Sequence, residues 1–214
     1  MGSWQDSGFY AGVEVIGIFL IANLVTAFLL LTLIGAPLGL LGLFAVMNEW
    51  AQGRQPEFFR VYFGAIRRHW RSALALGFID LAGFGLIFFN LSVFPAMPSQ
   101  NFLAILSLTM TFSIGAVLLM ANFYAWSIVS LLDLPLRGVI RLSLLLTLSH
   151  PLRSLFITLA ALIPLLASLA LPIAFLLILS LSVSAYIAAR GVWRVLRVHF
   201  AREELAELMT DVIE

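Results

Sequence analysis

Four long apolar stretches divide the chain, at residues 15–47, 72–94, 102–132 and 154–189. Three of them contain no Asp, Glu, Lys or Arg, and the second contains a single charged residue, Asp80. A bilayer core of about 30 Å is spanned by roughly 20 apolar residues in a helix. Membrane β-strands would alternate in polarity over short segments, whereas these stretches are apolar throughout. The pattern predicts an all-α, polytopic membrane helix bundle.

The composition supports this fold class. Of the 214 residues, 62% are hydrophobic and 11% are charged, against about 25% charged in a typical soluble domain. So few charges exclude a water-soluble enzyme, a disordered chain and a nucleic-acid reader. The length fits a single membrane domain over residues 1–214.

The arginines predict the orientation of the bundle. All twelve basic residues are Arg, and they cluster in segments 48–71, 133–153 and 190–202. Because cytoplasmic loops carry an excess of basic residues, we expect all three segments, and with them the C-terminus, on the cytoplasmic side of a bacterial plasma membrane. The fourth apolar stretch is then flanked by arginines on both sides, so it must cross twice.

Proline and glycine positions indicate where the long stretches break. Pro172 is the expected break in the fourth stretch, which gives one helix over 151–170 and a final span over 172–192. Gly35 and Pro37 in the first stretch are interpreted as a kink in a helix that crosses once. The result is five spans with the N-terminus outside. A six-span alternative folds the first stretch back at Pro37.

Two segments between the spans are amphipathic. Segments 56–71 and 134–150 carry apolar residues at helical spacing on one face and arginines on the other, as in helices that lie in the membrane interface. Their similar spacing favours an internal duplication, with repeats at 15–94 and 102–171. A cytoplasmic tail at 193–214 follows the final span.

Four polar residues in the apolar stretches are the candidate intramembrane site: Asp80, Asn23, Asn90 and Asn122. An ionisable residue within a span is costly and is a functional hypothesis by default. Asp80 could bind a proton or cation or anchor a polar substrate, and the asparagines could extend a polar path. Alternatively, all four make hydrogen bonds between helices.

The arginines of the amphipathic segments form a candidate face for anionic lipids or a partner protein: Arg60, Arg67, Arg68, Arg71, Arg137 and Arg141. The GxxxG spacing from Gly35 to Gly39 favours internal packing over a homodimer face. The sequence has no known catalytic motif, so we expect no catalytic residue, no metal site and no cofactor. Nucleic acid is not an expected partner.

The N-terminal motifs resemble a known family. The residues concerned are Asn23-Leu24-Val25, Ile34-Gly35-Ala36-Pro37, the segment 45–54, and an aromatic and arginine helix over 58–71. This pattern is similar to the YesL-like bacterial integral membrane proteins (domain of unknown function family 624) over residues 15–160. Asp80 matches no motif of that family.

The resemblance also implies a function. Genes for these proteins lie near carbohydrate ABC-transport genes in many bacteria, which implies a non-enzymatic accessory or scaffold protein. The expected partners are membrane lipids and an ABC permease or another membrane protein. The alternative, drawn from the residues themselves, is an autonomous small transporter or channel that uses Asp80.

Overall fold

The computed structural model describes residues 8–93, 102–170 and 179–213. These ranges form seven helices and contain no strand, so the all-α prediction is confirmed. The helices are α1 (Gly8–Leu30), α2 (Gly35–Ala51), α3 (Phe58–Val93), α4 (Phe102–Leu131), α5 (Leu136–Ser149), α6 (Pro151–Ala170) and α7 (Leu181–Ile213).

The first apolar stretch folds back on itself as α1 and α2. The rings of Phe19 and Trp50 lie 5.6 Å apart, and Thr26 Oγ1 lies 3.5 Å from the Gly39 carbonyl oxygen. In one straight helix, Phe19 and Trp50 would be about 46 Å apart. The prediction that this stretch crosses once is therefore wrong, and the arrangement of five spans with the N-terminus outside loses its basis.

The reversal occurs at residues 31–34, before Pro37. Thr32 Oγ1 accepts a hydrogen bond from the Gly35 N–H (3.0 Å) and donates one to the Leu29 carbonyl (3.1 Å). A Cβ at Gly35 would lie 2.2 Å from Thr32 Oγ1 and 2.5 Å from the Leu29 oxygen, so this close turn requires glycine. Pro37 falls in the first turn of α2, where its missing N–H removes no helical hydrogen bond. Gly35 and Pro37 thus begin a new helix and do not kink an existing one.

Helix α2 is the centre of the bundle. Most of its residues are buried, and it packs against α1, α3, α4 and α7. Its glycines permit these close contacts. A Cβ on Gly42 would lie 2.6 Å from the Tyr62 ring, and a Cβ on Gly39 would lie 3.1 Å from the Leu29 Cβ. The GxxxG spacing therefore serves internal packing, as expected.

Helix α3 runs without a break from Phe58 to Val93, about 54 Å at 1.5 Å per residue. The prediction of a separate interfacial helix that ends before residue 72 is wrong. The segment 134–150 does form a helix of its own, α5, which buries four residues against its neighbours: Val139, Ser143, Leu146 and Thr147. Because the two proposed repeats differ in helix layout, the duplication stays a prediction.

Helices α3 and α4 form a long antiparallel hairpin. Arg68 pairs with Asp133 near one end, and Asn90 meets Ser107 near the other, with an Nδ2 to Oγ distance of 3.2 Å. In the outer half of the hairpin, over 78–93 and 102–116, Thr111 is the one residue with a described side chain that is buried. Large apolar side chains there point outward, among them Phe78, Leu86, Phe88 and Phe112.

The fourth apolar stretch contains two antiparallel helices. Helix α6 has the predicted bounds of 151–170, and Ser184 Oγ on α7 donates to the Ala161 carbonyl at 2.6 Å. Helix α7 continues to Ile213 through the expected boundary between span and tail at residue 192. Pro172, the predicted break, lies outside the described residues.

The three arginine segments gather at the end of the bundle where α2 finishes, which we call the arginine end. Arg68 and Asp133 join the first two segments there. Tyr186, one turn before Arg190, contacts Phe19 at 5.8 Å, and Phe19 contacts Trp50 of α2. Because α1 is antiparallel to α2, the start of α1 lies at the arginine end as well.

Three described helices are long and apolar enough to cross a membrane: Phe58–Val93, Ile105–Leu131 and Pro151–Ser168. Val15–Leu30 is a shorter apolar helix. These helices and their exposed apolar side chains indicate a membrane-embedded protein. Their number, counted over the described residues, is lower than the five spans predicted.

Candidate functional site

Asp80 lies on α3 and faces α4, where two neutral side chains lie next to its carboxylate. Trp126 Nε1 donates a hydrogen bond to Asp80 Oδ2 at 3.1 Å, and the Asn122 side chain lies close enough to interact with the carboxylate. In the described part of the chain, Asp80 forms no ion pair. The structure therefore brings together two of the predicted polar residues, Asp80 and Asn122.

Asp80 also borders a groove of about 430 Å³ between α2, α3 and α4. Apart from the Asp80 carboxylate and the indole N–H of Trp126, the lining of the groove is apolar. The lining residues are Leu33, Ile34, Ala36, Pro37, Leu40, Leu74, Gly77, Phe78, Asp80, Leu81, Phe84 and Trp126. The close approach of Gly77 to Pro37, where an added Cβ would lie 2.7 Å from the proline Cβ, brings α2 and α3 together at this groove.

Asn90 lies farther along α3 and makes a different contact. Its Nδ2 donates to Ser107 Oγ at 3.2 Å and to Thr111 Oγ1. These bonds join the outer halves of α3 and α4. Asn90 is ten residues from Asp80, about 15 Å along the helix, and it does not line the groove.

Asn23 lies at a third place, between α1 and α7. Its Oδ1 accepts a hydrogen bond from the Ser182 N–H at 3.0 Å, and Ser182 Oγ donates to the Phe19 carbonyl at 2.9 Å. Both Asn23 and Ser182 are fully buried. The four predicted polar residues thus occupy three separate helix contacts.

The six predicted face arginines divide into two groups. Arg60 and Arg68 pair with Glu57 and Asp133, respectively. Arg67, Arg71, Arg137 and Arg141 are exposed and form no ion pair within the described ranges, although Arg71 lies 5.2 Å from the Trp70 ring centroid. Four cations therefore remain available to ligands at the arginine end.

A second cavity, of about 570 Å³, opens at the arginine end. Charged side chains of both signs line it, including Glu49, Glu57, Arg60 and Arg68. Asn48 lines its inner wall and ties α2 to α4, because its Nδ2 donates to the Ser127 carbonyl (3.1 Å) and to Ser130 Oγ (2.7 Å).

Sequence reasoning missed several buried polar contacts. Asn48 lies at the end of an apolar stretch, where it resembles a loop residue. Tyr62 lies in the segment 56–71 that was predicted to be interfacial, yet it is fully buried. Its Oη lies 3.0 Å from Thr26 Oγ1 and 3.2 Å from the Gly39 oxygen. Tyr124 and Ser154 meet at 3.0 Å between α4 and α6. Each contact joins residues distant in sequence, so no local pattern could have revealed it.

Comparison with known families finds a match in the N-terminal part of the chain. Residues 16–91 match DUF624. This family is described as a protein of unknown function, and the match covers α1 from residue 16, all of α2 and α3 to residue 91. The expected resemblance to domain of unknown function family 624 is confirmed over this segment. No curated protein and no solved structure matches the chain.

Proposed function

We propose that the protein crosses a bacterial plasma membrane six times, through α1, α2, α3, α4, α6 and a final span over 172–192 that leads into α7, with the arginine end in the cytoplasm. The folding back of α1 on α2 supports an even number of passes. The gathering of the arginine segments at one end supports the orientation.

Single cysteines test this topology, since the chain contains no native Cys. Gln52→Cys and Arg137→Cys should react with a membrane-impermeant maleimide only after the cells are permeabilised. Labelling of either residue in intact cells would contradict the orientation.

Within the membrane, the proposed role is that of a non-enzymatic accessory or scaffold protein linked to carbohydrate ABC transport. The observation that carries the scaffold role is the distribution of polar groups. Asp80, Asn90 and Asn23 each hydrogen-bond with partners on a neighbouring helix, at three separate places. This arrangement suits a packed bundle, since a solute path would require polar groups along one continuous cavity. The link to carbohydrates rests on the family resemblance.

Deletion and complementation test the accessory role. Loss of the chain should reduce uptake of a sugar that its host imports through an ABC transporter, and the wild-type chain should restore uptake. The tagged protein should also copurify with the permease of that transporter. Unchanged uptake of every such sugar, together with no copurified permease, would refute the proposal.

The arginine end supplies the proposed lipid-binding face. Arg67, Arg71, Arg137 and Arg141 are exposed and unpaired among the described residues, and each basic residue near an anionic surface contributes about 1 kcal/mol. Retention of phosphatidylglycerol through purification should fall when all four are changed to Gln. An equal loss of phosphatidylglycerol in the Arg60→Gln, Arg68→Gln control would contradict a specific role for these four arginines.

A second candidate function is an autonomous transporter or channel. Asp80 favours it because the carboxylate borders a groove of about 430 Å³. Proteoliposomes should then show proton or cation flux that Asp80→Asn abolishes and Asn90→Leu leaves intact. Normal flux with Asp80→Asn would remove the chemical support for this function.

A further inference from the structure

We infer that the Asp80 groove binds a lipophilic cation: a molecule with one ammonium group and an apolar body. This inference goes beyond the accessory role and does not depend on it, because binding can be measured without flux and without a partner protein.

The carboxylate carries the first part of the argument. Asp80 is the single charged side chain in its apolar stretch, and its contacts are the neutral donors Trp126 and Asn122. A carboxylate offers about four lone-pair directions, so these neighbours leave acceptor capacity. A charged donor forms a stronger hydrogen bond to a carboxylate than a neutral donor does.

The second part of the argument concerns the origin of a positive charge that could pair with Asp80. The four apolar stretches contain neither Arg nor Lys. Arg71, the nearest arginine before Asp80 in the sequence, is nine residues away, about 13 Å along α3. The apolar stretches of a second copy would contribute no cation either. A cation that pairs with the Asp80 carboxylate would therefore come from a different molecule.

The third part of the argument concerns the size and lining of the groove. Its volume of about 430 Å³ lies within the range of about 300–1,000 Å³ that is usual for small-molecule sites. Walls of Leu, Ile, Phe and Pro side chains surround the one carboxylate. Such a lining suits an alkyl or aromatic body whose cationic head reaches Asp80. We commit to a small amphiphile because the volume fits one molecule.

Quenching of Trp126 fluorescence tests the inference, since this indole lines the groove. The purified protein in nanodiscs of zwitterionic lipid is titrated with bromododecylammonium, and the signal of a Trp126→Phe variant is subtracted. Saturable quenching is expected. The neutral bromododecanol and a brominated alkyl sulfate should not compete for the site.

Three variants separate charge from fold. Asp80→Asn should raise the half-quenching concentration about tenfold or more, and Asp80→Glu should retain binding. Glu57→Gln, which removes an exposed carboxylate at the arginine end, should leave binding unchanged. If Asp80→Asn does not fold, Ala36→Phe fills the groove, leaves the carboxylate in place, and should weaken binding in the same way.

Four results would overturn the inference. They are an absence of saturable quenching, equal binding by wild type and a folded Asp80→Asn, equal quenching by the alcohol and the amine, and no effect of a folded Ala36→Phe. Displacement of the amine by a transmembrane peptide that bears one central Lys is expected at the shared carboxylate. Where the amine shows no saturable quenching, saturable quenching by that peptide, labelled with bromine, would identify a partner helix as the occupant.

Discussion

Replacing Gly77 by Ala tests the contact between α2 and α3 with a single methyl group. The added Cβ would lie 2.7 Å from Pro37 Cβ and 2.9 Å from Pro37 Cγ, about 1 Å closer than optimal carbon contacts. The proline ring is rigid, so the two helices must separate. Such overpacking costs about 1–3 kcal/mol, and the gain in helix propensity of about 1 kcal/mol for Gly→Ala offsets part of it.

Gly85 on the same helix is the matched control. A Cβ there meets nothing within 4 Å, so Gly85→Ala gains the propensity without the clash. The free energies of unfolding of the two variants, measured by circular dichroism during titration of detergent micelles with SDS, should differ by about 1–3 kcal/mol, with Gly77→Ala the less stable. Equal stabilities would refute the close approach of α2 to α3.

Three further predictions concern hydrogen bonds and ion pairs. Tyr62→Phe removes the buried hydroxyl that contacts Thr26 and should cost about 1–3 kcal/mol of unfolding free energy; no change on SDS titration would contradict this. A double-mutant cycle between Arg68 and Asp133 should give a coupling of about 1 kcal/mol or less that falls with added salt, because both side chains are largely exposed; a coupling of several kcal/mol would argue for a desolvated pair. Asn90→Leu should weaken the outer half of the α3/α4 hairpin by about 0.6–2 kcal/mol, with faster amide exchange confined to that half; uniform exchange across both helices would refute the assignment.

The apolar stretches were sufficient to predict an all-α protein, because a continuously apolar segment within a bilayer must satisfy its backbone hydrogen bonds as a helix. They also predicted the bounds of α6. They could not determine whether the first stretch crosses once. A Gly-Ala-Pro sequence is compatible with a kink and with a helix start. The reversal depends on the Thr32 hydroxyl and on contacts such as Phe19 with Trp50, which only the folded chain brings together.

The unbroken α3 illustrates a different limit. Amphipathicity changes along this helix, from an aromatic and arginine segment to an apolar one, and we interpreted the change as a break. A helix can pass from the membrane interface into the apolar core without a break in its backbone, and no proline lies between Pro56 and Pro95. The absence of a helix breaker was the signal that could have predicted one continuous helix.

The candidate site was predictable in part. Asp80 was identifiable as the one charge within the apolar stretches. Its donor Trp126 lies 46 residues away on another helix, so the sequence alone could not pair them. Asn23 and Asn90 hydrogen-bond between helices, and their separation into different contacts became visible only in the fold.

The distance between residues 16 and 52 tests the central claim most directly, namely that the first apolar stretch folds back. Ile16→Cys and Gln52→Cys can be spin-labelled in the protein, which has no native Cys, and measured by double electron–electron resonance in nanodiscs. Packed antiparallel helices lie about 8–10 Å apart, which with the label linkers predicts a distance of about 20 Å. A single crossing would place the two positions about 54 Å apart, and a distance near that value would contradict the fold.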